Sequence, residues 1–338
     1  MPTSNNYEKW ADIAKGLGII AVVLGHSGNS QIQNYIYWFH MPLFFLICGY
    51  FYKPINDISH YPLLIKKYTS RLLIPYFCFL LVITTIRYVY RFLGDRFDLQ
   101  WVCQDIGNIV LGGRFIGGWY GPFWFITTLF FTYILFSAIL LFIKKDTTRI
   151  ILIAMLYIIS HIESLLSINY RFIIPLNIDV TLISISYFAF GYYSKRILKN
   201  IPKPMFLLCA LTSAIFYLFN YLGILHFSLD MKNLGYHDVI LDLIIPLSII
   251  ITIIGLSQLL LNSKISYALS YLGEFSLPIM YLHILPNGIL QPILLYGSFV
   301  YTLIGLLIPI LITHLFLNRF KLTKALFLGK DNLDRIKH

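Results

Sequence analysis

Charge is what this chain has least of. Only 12% of its 338 residues are Asp, Glu, Lys or Arg, roughly half the share found in a soluble domain, about 25%. So few charges cannot coat a globule of this size, which excludes a soluble enzyme, a disordered chain and a nucleic-acid-binding module. Cysteine is scarce too. Of the four present, Cys48, Cys78 and Cys209 sit inside apolar runs and Cys103 lies in a connecting segment. No CxxC or other ligand spacing occurs, so neither a disulfide framework nor a metal site is implied. A cleavable leader is not expected either: residues 1–9 carry one Lys, and Asp12 and Lys15 interrupt the first apolar run.

What is abundant is apolar. Hydrophobic residues make up 58% of the chain and the mean hydropathy is +0.74. A membrane-spanning helix needs about 20 mostly apolar residues, and the pattern predicts ten: 10–28, 34–52, 71–93, 119–143, 149–166, 172–194, 204–225, 239–261, 265–290 and 299–318. The expected fold is an all-α integral membrane protein of about ten transmembrane helices. Connections are short apart from 94–118 and 226–238. A single transmembrane domain over 1–338 is therefore expected, with a basic tail at 319–338 and no soluble domain.

Lys and Arg number 26 against 15 Asp and Glu, a net charge of +11. If the ten spans alternate in direction, one side of the membrane receives 19 of these cations and the other only Arg96, Arg114, Arg171 and Lys232. Lys15, Arg87 and Arg91 fall within or at the end of spans. Cytoplasmic loops collect Lys and Arg, so both termini are expected in the cytoplasm, with the chain in the cell's plasma or inner membrane. The basic excess is then topological and requires no nucleic-acid partner.

Ionisable groups inside a bilayer are costly and face protein or a cavity. Asp12, Lys15 and His26 share one stripe of the first span, with Asp12 and His26 about 21 Å apart along the axis. Asp12 and Lys15, at i and i+3, can pair, either as a buried structural salt bridge or with a direct role. His26 ends the first span and His40 begins the second, so both belong at similar depth in the outer half, where histidine suits proton transfer. His283 is expected at a similar depth. Glu274, nine residues earlier, shares a cavity with His283 only if Pro278 bends the helix. His161, Glu163, Asp179 and Asp242 are also placed in outer halves, and any of the three acids is a candidate to orient His26.

At the opposite boundary Lys66, Lys67 and Arg71 lead into the third span, with Lys67 and Arg71 on one helical face. They read equally as an anchor to lipid headgroups or as a clamp for a phosphate-rich cytosolic ligand. The glycines of 112–118 precede Trp119-Tyr120-Gly121-Pro122-Phe123-Trp124-Phe125. Trp119 and Trp124 belong either to an interfacial aromatic belt or to a stacking platform for an acceptor sugar.

Several segments taken together resemble the membrane acyltransferase-3 family, in particular its fucose 4-O-acetylase-like branch. They are Trp10-Ala11-Asp12-Ile13-Ala14-Lys15-Gly16 through Gly25-His26, Phe39-His40-Met41-Pro42-Leu43-Phe44-Phe45, Arg71-Leu72-Leu73-Ile74-Pro75-Tyr76, and Tyr271-Leu272-Gly273-Glu274 with Tyr281-Leu282-His283. The resemblance implies ten membrane helices and transfer of an acyl group, usually acetyl, from cytosolic acyl-CoA to a carbohydrate hydroxyl. It also implies that His26 is the essential histidine and that the basic residues before the third span serve the CoA. Many relatives carry an Arg-x-x-Arg pair there; here its first position is Tyr68, with Lys67 beside it. Some relatives add a hydrolase-like domain, which is not expected here.

The expected function is thus O-acylation of a lipid-linked or growing surface glycan, with acyl-CoA as co-substrate and no cofactor or metal. His26 acts as general base or as a transient acyl carrier, and His40 orients it or meets the oxyanion. Lys66, Lys67 and Arg71 hold the donor. The pantetheine arm is expected to thread along the polar stripe of the first helix. The other reading is a polysaccharide exporter or flippase without chemistry.

Overall fold

The computed structural model describes residues 8–170 and 174–329. Arg171 and the tail cations Lys330, Arg335 and Lys337 lie outside the described residues. Within them the chain is all α, and no strand forms. The helices in chain order are α1 Lys9–Gly25, α2 Ser30–Tyr37, α3 His40–Phe51, α4 Tyr61–Tyr68, α5 Ile74–Leu93, α6 Leu99–Leu111, α7 Phe123–Phe142, α8 Asp146–Asn169, α9 Thr181–Tyr193, α10 Lys195–Lys199, α11 Lys203–Tyr221, α12 Leu241–Leu259, α13 Ile265–Glu274, α14 Ser276–Leu282, α15 Ile284–Leu294, α16 Ser298–Ile312 and α17 Lys321–Leu328.

Among the described residues each of the ten expected segments contains helix, but they fall into two classes. Six stretches among the described residues are long and apolar enough to cross a bilayer: Ile58–Leu93, Gly118–Phe142, Asp146–Asn169, Lys203–Tyr221, Leu241–Asn262 and Ser298–Leu317. The pair α14 and α15, bent by 46°, makes a seventh if taken as one span. The expected spans at 10–28, 34–52 and 172–194 are shorter. They form α1 with 17 residues, α3 with 12 after the separate α2, and α9 with 13. At 1.5 Å per residue these are about 26, 18 and 20 Å long, against about 30 Å of hydrocarbon.

Burial explains the difference. Ile13, Ala14, Ile19 and Val23 of α1, Leu43, Phe45 and Leu46 of α3, and Ile183, Ile185, Tyr187 and Phe188 of α9 are all at 0% exposure. A helix enclosed by protein need not match the bilayer. The peripheral helices behave oppositely. Ile158, Ile159 and Ile162 of α8 and Leu207, Leu208 and Leu211 of α11 are exposed, giving the apolar outer surface that lipid requires.

The inner helices pack backbone to backbone. An added Cβ would lie 2.0 Å from the Leu269 carbonyl oxygen at Gly16 and 1.9 Å from the Asp12 oxygen at Gly273, so these two glycines let α1 and α13 touch from both sides. Gly49 against Phe188 (1.9 Å) and Gly191 against Leu46 (2.0 Å) do the same for α3 and α9. Small residues at such crossings are how membrane helices associate when burial from water offers no force.

These contacts generate a stability test. Gly273→Leu drives a side chain into the Asp12 carbonyl and should cost more than about 3 kcal/mol, the upper range for overpacking. Gly107→Ala sits within α6, where a Cβ meets nothing within 4 Å, and should stabilise by about 0.5–1 kcal/mol. Thermal midpoints and monodispersity in detergent should separate the two, with Gly273→Leu aggregated or lowered and Gly107→Ala unchanged or raised.

Candidate active site

Three histidines converge where α1, α3 and the α14–α15 bend meet. His26 caps the C-terminus of α1, His40 opens α3, and His283 occupies the bend itself. Each ring is held by a backbone carbonyl three or four residues earlier in the chain, which for His40 belongs to the preceding helix, α2. Nδ1 lies 2.8 Å from the Val22 carbonyl oxygen in His26 and 2.9 Å from Ile36 in His40. In His283 it is 3.0 Å from both Ile279 and Met280. A carbonyl oxygen only accepts, so Nδ1 carries the proton in all three rings and Nε2 of the neutral imidazole is a lone pair.

The His26 and His283 rings pack edge to face with centroids 5.1 Å apart. The Tyr37 ring stands between His26 and His40, 6.3 Å from the first and 4.8 Å from the second. A cavity of about 360 Å³ opens over this group, with His26, His40, Tyr37, Trp124, Asp230 and Lys232 on its wall and Val22, Met41, Met280 and Ile284 as an apolar floor. His283 is fully buried behind it, and its Nε2 has no hydrogen-bond partner among the described residues.

Lys232 is the residue that sequence reasoning missed; it had been counted only as one of four outer cations. It reaches the cavity because the 226–238 connection folds inward. Asp230 and Gly235 exchange backbone hydrogen bonds of 2.9 and 2.8 Å, and Leu229, Met231 and Leu234 are buried to 2%, 3% and 1%. Asn177 pins the turn by donating from Nδ2 to the Lys232 carbonyl at 2.9 Å. Asn177 is itself held by the Arg114 backbone N–H at 2.7 Å, while the Arg114 guanidinium pairs with Asp179. The Lys232 ammonium donates to the Ile116 carbonyl at 2.6 Å and, longer, to Gly121 at 3.5 Å. Burial pushes its pKa down to about 8, opposed by the charge of Asp230.

Other expected residues are distributed differently. Asp12 and Lys15 form the i, i+3 ion pair. Between them and His26, Ile19 and Val22 are buried to 0% and 1%. The stripe expected to carry a pantetheine arm is thus made of buried side chains at mid-helix, and Leu43 and Phe44 of α3 lie against the adjacent Gly18. The Val22 carbonyl orients the His26 ring. His161 and Asp242 pair with each other (Nε2 to Oδ2, 3.1 Å), Asp179 serves Arg114, and Glu163 lies beside Asp179. None of the four lines the cavity. Glu274 is exposed at the end of α13. The helix breaks at Phe275 and bends again at His283, so Pro278 is not the hinge and Glu274 does not join His283.

Trp124 lines the histidine cavity, whereas Trp119 lies outside it, packed on Gly288 and facing a neighbouring cleft. Lys66 and Lys67 are exposed at the end of α4. Arg71 sits within a π-helical turn, Thr69–Leu73, so the regular helical register expected between Lys67 and Arg71 is interrupted. The C-terminal segment closes over this turn, with Gly329 against the Arg71 backbone.

A base with an unencumbered lone pair, a buried ammonium and an apolar floor can deprotonate a hydroxyl and stabilise the anion that forms when it attacks a carbonyl. No curated protein and no solved structure matches the chain. The acyltransferase-3 model, described as an acyltransferase domain, matches residues 8–318, which include all three histidines and Lys232. The chain belongs to the acyltransferase-3 family and, with six or seven helices fit to cross a bilayer, is a membrane acyltransferase.

Proposed function

We propose that this acyltransferase moves an acetyl or similarly short acyl group from acyl-CoA to a hydroxyl of a surface or exported glycan, with His26 as general base. The observation that carries this reading is the fixed tautomer of His26 in a cavity shared with Lys232. The acceptor hydroxyl gives its proton to Nε2 as its oxygen attacks the thioester carbon. Lys232, which has a third N–H beyond its two carbonyl partners, stabilises the oxyanion. Collapse of the tetrahedral intermediate breaks the C–S bond, and the imidazolium returns the proton to the departing CoA sulfur. His40 takes a different part from the one expected. Its Nδ1–H is committed to Ile36, so its neutral ring offers only an acceptor and orients the sugar by receiving a hydroxyl hydrogen bond.

The donor is assigned to the opposite boundary, where Lys66, Lys67 and Arg71 supply cations for the CoA phosphates. Moving those phosphates through hydrocarbon is prohibitive, so only the acyl-bearing arm approaches His26. With the α1 stripe buried at Ile19 and Val22, the arm enters by parting α3 from α1 at Leu43 and Phe44. The protein is read as lying in the plasma or inner membrane, with donor on the cytoplasmic side and acceptor on the other.

Four measurements test this reading. His26→Gln should lower CoA release from acetyl-CoA plus glycan by about 10²–10⁴-fold, the range of general-base catalysis, with thermal stability retained. Full activity in a folded variant removes the histidine, and no acyl transfer by the wild type returns the chain to a transport role.

The second is a pH profile. The Lys232 ammonium is present below about pH 8 and lost above it, so the rate should fall as pH rises through that value. Lys232→Arg, charged throughout this range, should move the alkaline limb upward, whereas Lys232→Met should depress the rate at every pH. A limb indifferent to both substitutions excludes the ammonium from the mechanism.

For the donor, Lys67→Ala and Arg71→Ala should each weaken acetyl-CoA affinity by about 1.5–3 kcal/mol, the worth of a charged hydrogen bond. In proteoliposomes with acetyl-CoA inside and an impermeant acceptor outside, labelled acetyl should appear on the outer glycan. Product only on the donor's side would place both substrates on one face.

A further inference from the structure

The connection 94–118 carries a cleft that the reaction at His26 does not use. Trp101, Gln104, Asp105 and Asn108 fall at i, i+3, i+4 and i+7 of α6, one face of that helix, and this face lines a cleft of about 470 Å³. Its wall is organised in advance. Arg87 donates to Asp105 at 2.6 Å, and Tyr88 donates to the other carboxylate oxygen at 3.2 Å. The Arg87 guanidinium lies 4.8 Å from the Trp101 ring and 5.1 Å from Tyr120. Gln104 is exposed and Asn108 half-buried on the same wall, so each brings a two-way amide to the opening.

Two glycines join this cleft to the histidine cavity, since Gly117 and Gly118 line both. Gly118 has φ +55 and needs glycine for its backbone. Gly117 does not: its φ is −129, and an added Cβ would meet no protein atom within 4 Å. Neither backbone conformation nor packing demands glycine there. A bare backbone bordering two connected cavities is what the close approach of a ligand requires. Beyond Arg87 and Trp119 the cleft continues into a recess of about 600 Å³ that also meets Arg91 and Arg96. The three spaces share walls in series, as a linear polymer of polar rings would need.

We infer that the α6 cleft binds the sugar residue next to the one acylated at His26, so that the acceptor is an oligosaccharide seated across Gly117 and Gly118. Planar amides, a carboxylate–guanidinium pair and aromatic edges are the groups that meet the ring hydroxyls and apolar faces of a carbohydrate. A sugar monomer would fill the histidine cavity and leave the cleft empty. This inference rests on the glycan reading above.

The test uses the full-length enzyme in detergent and the source organism's surface polysaccharide, partially hydrolysed and sized into fragments of one to four residues. Rates with acetyl-CoA give kcat/KM for each length, and tryptophan fluorescence gives fragment binding without donor. The wild type should prefer longer fragments. Gln104→Ala with Asn108→Ala should shrink the preference for long over single-residue acceptors about tenfold, the loss of one or two hydrogen bonds. The preference should shrink through KM rather than kcat. A wild type indifferent to length, or a variant that loses rate equally on all lengths, overturns the inference. Fragment binding that depends on Asn108 without acyl transfer to any length would remove the acyltransferase chemistry and leave the cleft standing. Transfer to single residues alone, with no length-dependent binding, would do the reverse.

Discussion

The site rests on the contact of bare helix backbones. α1 reaches α13 only because Gly16 and Gly273 each leave room for a carbonyl of the other helix, and α3 reaches α9 through Gly49 and Gly191 in the same way. These two crossings fix the inner helices, and every histidine of the cavity stands at an end or bend of the chain segments they hold. His26 terminates α1, His40 begins α3, and His283 follows α13 through the short α14. Widening either crossing by one side chain would shift helices in a close-packed interior and with them the spacing of the rings.

The outline of this arrangement was legible in the sequence. Ten apolar segments were located, and among the described residues each contains helix. The motif around Asp12, Lys15 and His26, with His40 in FHMPLFF, pointed to the family that the match over residues 8–318 then showed. Length was less legible. Hydropathy measures composition and cannot tell a helix wrapped in lipid from one wrapped in protein, so α3 and α9 read as spans although they are too short to be spans on their own. Positions along one helix were also legible, as the Asp12–Lys15 pair demonstrates. Relations between helices were not, which is why Asp179, Asp242 and Glu163 were offered as partners for His26 when their neighbours are Arg114, His161 and each other.

The least legible element was the 226–238 connection. Its sequence has no long apolar run, and Lys232 counted only toward the charge asymmetry. Its inward course depends on long-range hydrogen bonds, Asn177 to the Lys232 carbonyl and Trp38 Nε1 to the Phe227 carbonyl at 3.2 Å, which no local pattern announces. The same holds for 94–118. It reads as a connection, yet it forms α6, whose face with Trp101, Gln104, Asp105 and Asn108 meets a surface built by Arg87 of α5 and the 117–120 turn. Polar connections in a membrane protein are therefore where sequence says least, although loops are where binding residues commonly gather.

The way the histidines are held bears on the proposed chemistry. A His–Asp arrangement would fix the tautomer of His26 equally well, but it would keep a carboxylate desolvated within the protein, a costly group unless fully paired. A helix carbonyl does the same work with a neutral partner. It also changes the energetics of proton return. A carboxylate stabilises the imidazolium that forms when the acceptor hydroxyl is deprotonated, whereas the Val22 carbonyl provides only a dipole. The imidazolium on His26 is then a high-energy, short-lived species, further disfavoured by the nearby Lys232 charge. In the proposed reaction that repulsion would drive the proton onto the thiolate as the C–S bond breaks, so that CoA would leave as a neutral thiol. Lys232 would thus act on both halves of the proposed reaction: its positive charge would favour the oxyanion on one side of the cavity and expel the proton on the other.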